Sequence, residues 1–141
     1  MKKITALDIS KYFVEIASKI DENDLTNLKL QKLLYFAQKE FFDKTGKLLF
    51  GDQIEAWNFG SVVRSVYDTF KRCGAFPITS FDIEYKAEEL DKEIKSFIDG
   101  IWEEYGKFSA NYLVSLTHKK GSPWNVAYNS ENKVIDLEKT N

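Results

Sequence analysis

The chain has 141 residues, 43% hydrophobic and 15% aromatic, with 30% charged and a formal net charge of −2. That length fits a single domain spanning residues 1–141, and the apolar share argues against disorder. Two arginines, Arg64 and Arg72, fall far short of the basic stripe that nucleic-acid binding needs, so nucleic acid is not an expected partner.

Residues 5–20 predict a first helix. Thr5 and Asp8 are spaced for a capping box, and Ile9, Tyr12, Phe13, Ile16, Ala17 and Ile20 recur at helical spacing. After the polar stretch 21–27, Thr26 or Asn27 can cap a second helix running to Thr45, with Leu30, Leu33, Leu34, Ala37 and Phe41 as its buried stripe. Gly46 is placed to end it. Residues 48–51 and 54–59 are ambiguous between strand and loop.

A third helix is predicted over 61–72, turning Val62, Val63, Val66, Tyr67 and Phe70 inward and ending at Gly74. Pro77 restricts its neighbours, so 75–85 is expected to be looped or extended, with Ile78, Phe81 and Ile83 as a short edge strand or a loop anchor. A fourth helix covers 87–105 and stops at Gly106. Ser109 can cap a shorter fifth that carries Tyr112, Leu113 and Leu116. Pro123 opens a last helical turn, and 134–137 can form a terminal strand. The expected fold is mainly α, a compact bundle of about five helices with room for a small β-strand pair.

Chemistry-bearing motifs are absent. Cys73 is the sole cysteine and His118 the sole histidine, which excludes an intrachain disulfide and the usual structural zinc sites. No glycine loop of the phosphate-cradling kind occurs. No catalytic residue, metal or cofactor is therefore expected, and a hydrolase built on His118 is the enzymatic alternative. No apolar run reaches the 18 or so residues of a spanning helix, and polar residues interrupt the N-terminus too early for a signal sequence. The cytoplasm is the expected location, with no membrane partner.

Three blocks are more specific. They are Thr26 to Gln38 (TNLKLQKLLYFAQ), Ile54 to Val63 (IEAWNFGSVV) followed by Val66, Tyr67 and Phe70, and Phe108-Ser109-Ala110 continuing through Leu113, Leu116-Thr117-His118 and Pro123-Trp124. Their order and separations resemble the Panacea domain, the SocA-like antitoxin family of phages and mobile elements, over roughly residues 5–130. One position departs from that pattern: Ser61 stands where the family has proline. A serine there can cap the third helix instead.

The resemblance implies a protein that binds and neutralises a toxin encoded nearby. Its alternatives are a phage or mobile-element interaction protein acting on a host protein, or a proteolytic adaptor with a host protease as partner. The candidate partner-binding residues are Lys29, Gln31, Lys32, Glu55, Trp57, Ser61, Arg64, Arg72 and His118. Lys29, Gln31 and Lys32 fall outside the apolar stripe and read as exposed. Arg64 and Arg72, eight apart, are expected to share a helix face with Asp68 between them. Leu30, Leu33, Leu34, Gly60, Val63, Tyr67, Pro123 and Trp124 are assigned to structure. The segment 82–104 carries nine acids and three lysines, a solvated face or one suited to a basic partner.

Overall fold

The computed structural model describes residues 3–83 and 90–138. Among the described residues six α-helices and a small antiparallel sheet build the fold, centred on α2 (Asn27–Thr45), which packs against four of the other helices and one strand of the sheet. Thr26 caps it through a bond from Lys29 N to Oγ1 at 3.2 Å, and Gly46 ends it at φ 75°. That conformation carries a steric penalty for any residue with a Cβ.

The helix before it, α1 (Ala6–Ser18), begins with the predicted capping box. Asp8 N donates to Thr5 Oγ1 at 3.1 Å and Thr5 N to the Asp8 carboxylate at 3.0 Å. Ile9, Phe13 and Ala17 are buried, whereas Ile20 lies beyond the helix end and is largely exposed.

The principal difference from the sequence expectation falls at residues 54–63. Strand β1 (Ile54–Trp57) turns through Asn58-Phe59 into β2 (Gly60–Val62), and β3 (Val134–Ile135) joins the other edge of β1, giving the antiparallel order β2-β1-β3. The third helix therefore starts later than expected: α3 spans Arg64–Phe70. Ser61 does not cap it. Ser61 is a fully buried strand residue opposite Ala56, and Val63 occupies the N-cap with no side-chain bond. The predicted strand pair is thus a three-stranded sheet, and the mainly helical class holds.

Arg72 lies in a 3₁₀ turn (Lys71–Cys73) after α3, so it does not share a helix face with Arg64. It donates to Asp82 O at 3.0 Å, while Arg64 pairs with Glu55 rather than Asp68. In the 75–83 loop Ile78 is fully buried and donates to Leu25 O at 2.7 Å, but Phe81 points outward.

The fourth helix, α4 (Lys92–Tyr105), is capped by Asp91; the predicted start at Ala87 lies outside the described residues. Ser109 caps α5 (Ala110–Thr117) as expected, though only Leu113 of its apolar trio is buried and Tyr112 faces outward. Pro123 opens α6 (Pro123–Tyr128). No helix among the described residues is long and apolar enough to cross a membrane.

Candidate functional site

The sequence placed Lys29, Gln31 and Lys32 on an exposed face, and the structure corrects this. All three are buried, at 0%, 1% and 0% exposure. Helix α2 is enclosed by α1, α3, α4, α5 and β2, so the side away from its leucine stripe also faces protein. Burial of a polar side chain is tolerated only when it is bonded, and each of these makes a specific tertiary contact. Lys29 Nζ donates to Asp24 Oδ1 at 2.8 Å and to Gly106 O, the C-cap of α4, at 2.6 Å. Gln31 donates to Asn27 Oδ1 at 2.9 Å and accepts from Val63 N at 2.9 Å, which fixes the entry into α3.

Gln38, which the sequence did not single out, works in the same way. It donates to Phe50 O at 2.8 Å and accepts from Leu49 N at 2.7 Å, pinning the loop before β1.

Lys32 differs from its neighbours. Its ammonium donates to Ser61 O at 2.7 Å, and no carboxylate among the described residues pairs with it. Burial pushes its pKa down to about 7. Gly60 makes this possible. Its φ is +104°, and a Cβ there would lie 2.6 Å from Lys32 Cε and 3.0 Å from Thr117 Oγ1. His118, the C-cap of α5, is held below its usual pKa by burial and then by the charge of Lys32. Ser61 Oγ and His118 Nε2 are buried with no hydrogen-bond partner among the described residues.

His118 in turn begins a stack. Its ring lies 3.7 Å from that of Trp124, Trp124 lies 4.8 Å from Tyr128, and the Lys133 ammonium sits 4.3 Å above Tyr128. Trp124 Nε1 donates to Trp57 O at 2.8 Å, and Tyr128 Oη bonds the Asn58 side chain. The three sequence blocks therefore meet at one place: Lys32 from the first, the Trp57–Ser61 turn from the second, and Thr117, His118 and Trp124 from the third.

On the outer side, Trp57 is half-buried and packs edge-on against Tyr67, with ring centroids 5.1 Å apart. The Arg64 guanidinium covers the Trp57 ring at 5.2 Å and grips Glu55 in two bonds, of 2.9 and 3.1 Å. Trp57 Nε1 adds a third bond to Glu55 at 3.0 Å. The bonds from Arg64, helped by that from Trp57, hold the Glu55 carboxyl below the usual carboxylate range.

Of the candidate residues, then, Glu55, Trp57 and Arg64 form one surface cluster, with Lys32, Ser61 and His118 beneath the adjoining turn. Arg72 stands apart. Among the described residues no three His, Cys, Asp or Glu are grouped to hold a metal ion.

The Trp124 bond yields a stability prediction. Trp124→Phe keeps an aromatic ring against His118 but leaves Trp57 O without its donor, which costs about 1 kcal/mol. Trp124→Ala removes the ring as well and costs about 3–5 kcal/mol. Urea denaturation of the two variants measures both values, and a Trp124→Phe variant as stable as the wild type would show that the indole N–H contributes nothing.

Comparison with known proteins bears on what this junction belongs to. Residues 30–125 match the family model described as "Antitoxin SocA-like, Panacea domain". The chain is similar to the protein named "Antitoxin SocA" of Caulobacter vibrioides (strain NA1000 / CB15N), 31% identical over 145 residues, which cover 96% of this chain and 77% of that protein. No solved structure matches it significantly. With the family match running from α2 through the start of α6, and so across all three blocks that meet at Lys32, the chain belongs to the SocA-like antitoxin family defined by the Panacea domain.

Proposed function

We propose that the chain is an antitoxin that binds a protein toxin encoded nearby and neutralises it by forming a complex. The observation that carries this is its similarity, along nearly its whole length, to a protein named as an antitoxin. The disposition of its polar groups agrees with binding rather than catalysis. The amine with the most displaced pKa near neutrality, that of Lys32, is sealed from solvent instead of facing a cleft. The outer surface beside it offers Trp57 and Arg64, residue types enriched where protein interfaces draw most of their energy.

Growth measurements test the proposal. Expression of the neighbouring gene alone is expected to arrest growth, and co-expression of this chain is expected to restore it. A neighbour that is harmless alone, and that forms no complex with this chain, would remove the antitoxin role and leave interaction with a host protein in its place.

A further inference from the structure

The Asn58-Phe59 turn combines a braced frame with an exposed aromatic side chain. Its frame is held at Trp57, Asn58 and Gly60, while its most apolar side chain faces solvent. Trp57 O is held by Trp124, Asn58 by Tyr128, and Gly60 by its close approach to Lys32 and Thr117. Between them Phe59 is 70% exposed. An aromatic side chain presented on a rigid turn loses little conformational freedom on binding, which is how preorganised anchors gain affinity.

The charge around that turn is also distinctive. Arg64 lies over Trp57 on one side, and Lys133 covers Tyr128 on another. Lys119 and Lys120 are exposed and follow directly after Thr117 and His118, against which Gly60 and Trp124 pack. None of these three lysines pairs with a carboxylate among the described residues. Glu55 is committed to Arg64, and Glu131 is the acidic residue nearest Lys133 in sequence. A cationic rim on a chain of net charge −2 is a local feature, not a reflection of overall composition. Phe81 is more exposed still, at 95%, on a short turn held by the Thr79–Asp82 capping box and by Arg72, but it lies three residues from 84–89, which are outside the described part.

We propose that the Asn58-Phe59 turn is the docking surface for the toxin, with Phe59 as anchor and Lys119, Lys120 and Lys133 as its cationic rim. The toxin then meets it with an apolar pocket bordered by carboxylates. This rests on the antitoxin role proposed above and adds the surface and the chemistry of the partner. A protein partner is favoured over nucleic acid because the rim holds only three unpaired cations among the described residues, whereas phosphate recognition draws on a larger clustered basic surface.

The test uses the purified product of the adjacent gene as probe and measures its affinity and association rate with the full chain. Phe59→Ala is expected to weaken binding about 30-fold, the loss typical of a hot-spot aromatic. Its melting midpoint should stay at the wild-type value, because the side chain is mostly in solvent. The double variant Lys119→Glu/Lys120→Glu is expected to slow association roughly tenfold at low salt, a gap that closes as salt is added. If the wild type binds and both variants bind equally well, the surface is wrong while the antitoxin role stands. If the wild type forms no complex, both fall together. Unchanged toxin binding with lost affinity for a single-stranded oligonucleotide would assign the turn to nucleic acid and overturn the proposal.

Discussion

Lys32→Met is expected to stabilise the protein by about 3 kcal/mol or more at pH 6, and by progressively less as the pH rises toward 10. The folded-state pKa of Lys32 is about 7, against 10.5 for the free side chain. Below pH 7 both the folded and the unfolded chain carry the proton, and the folded chain bears the full cost of a buried ammonium without a counterion. That cost is on the order of 5 kcal/mol for a shift of this size. Between pH 7 and 10.5 the unfolded chain holds the proton that the folded chain has released, so stability rises with pH and the cost fades.

Methionine has similar length and no charge, so it removes the cost but leaves Ser61 O without its donor, a loss of about 1 kcal/mol. Urea denaturation of wild type and variant at pH 6 and pH 9.5 gives the two differences. The upper limit matters because the hydroxyls of Tyr12 and Tyr105 are pushed up by burial, and their unfolded forms begin to ionise above that pH. A difference that is the same at both pH values would mean that Lys32 is not buried as a displaced amine.

Gly60→Ala is expected to destabilise by about 3 kcal/mol or more. Two independent costs act at this position. A φ of +104° is one that L-residues rarely adopt, and the new Cβ would come 2.6 Å from Lys32 Cε. Only the second can be relieved by changing the neighbour. Adding Lys32→Ala should therefore recover part of the loss and leave the backbone part, about 1–3 kcal/mol. Thermodynamic coupling in the double-mutant cycle measures the steric share. Strict additivity would show that Gly60 and Lys32 do not meet.

The features legible in the sequence were those decided within a few residues. Thr5 with Asp8, Thr26, Ser109 and Gly46 each act on backbone groups three or four positions away, Pro123 fits the first helical position because no N–H is needed there, and all behave as their chemistry requires. The burial of Lys29, Gln31 and Lys32 was not legible. Helical spacing shows which residues flank a leucine stripe but not how many neighbours surround the helix, and α2 is enclosed.

The start of α3 was misplaced for a related reason. Val62 and Val63 suit a helix or a strand, and the turn lacks the Asn-Gly or Asp-Gly signal of a short hairpin. Here the positive φ falls on Gly60, after the turn, where the approach of Lys32 requires it. That the three blocks meet at one junction depends on tertiary contacts that spacing does not encode. The excess of Lys29, Gln31 and Gln38 on a buried helix was still a usable hint. Three amides and amines that each bond a backbone carbonyl or N–H from another segment explain why such residues recur along α2.

The central claim is that this chain neutralises a toxin by holding it in a complex. Titration of the purified adjacent gene product with the purified chain tests it most directly, following complex formation and toxin activity in the same samples. The account predicts saturable binding, with activity falling in proportion to the fraction of toxin bound. Full toxin activity at saturating antitoxin, or no complex at concentrations that protect cells, would contradict it.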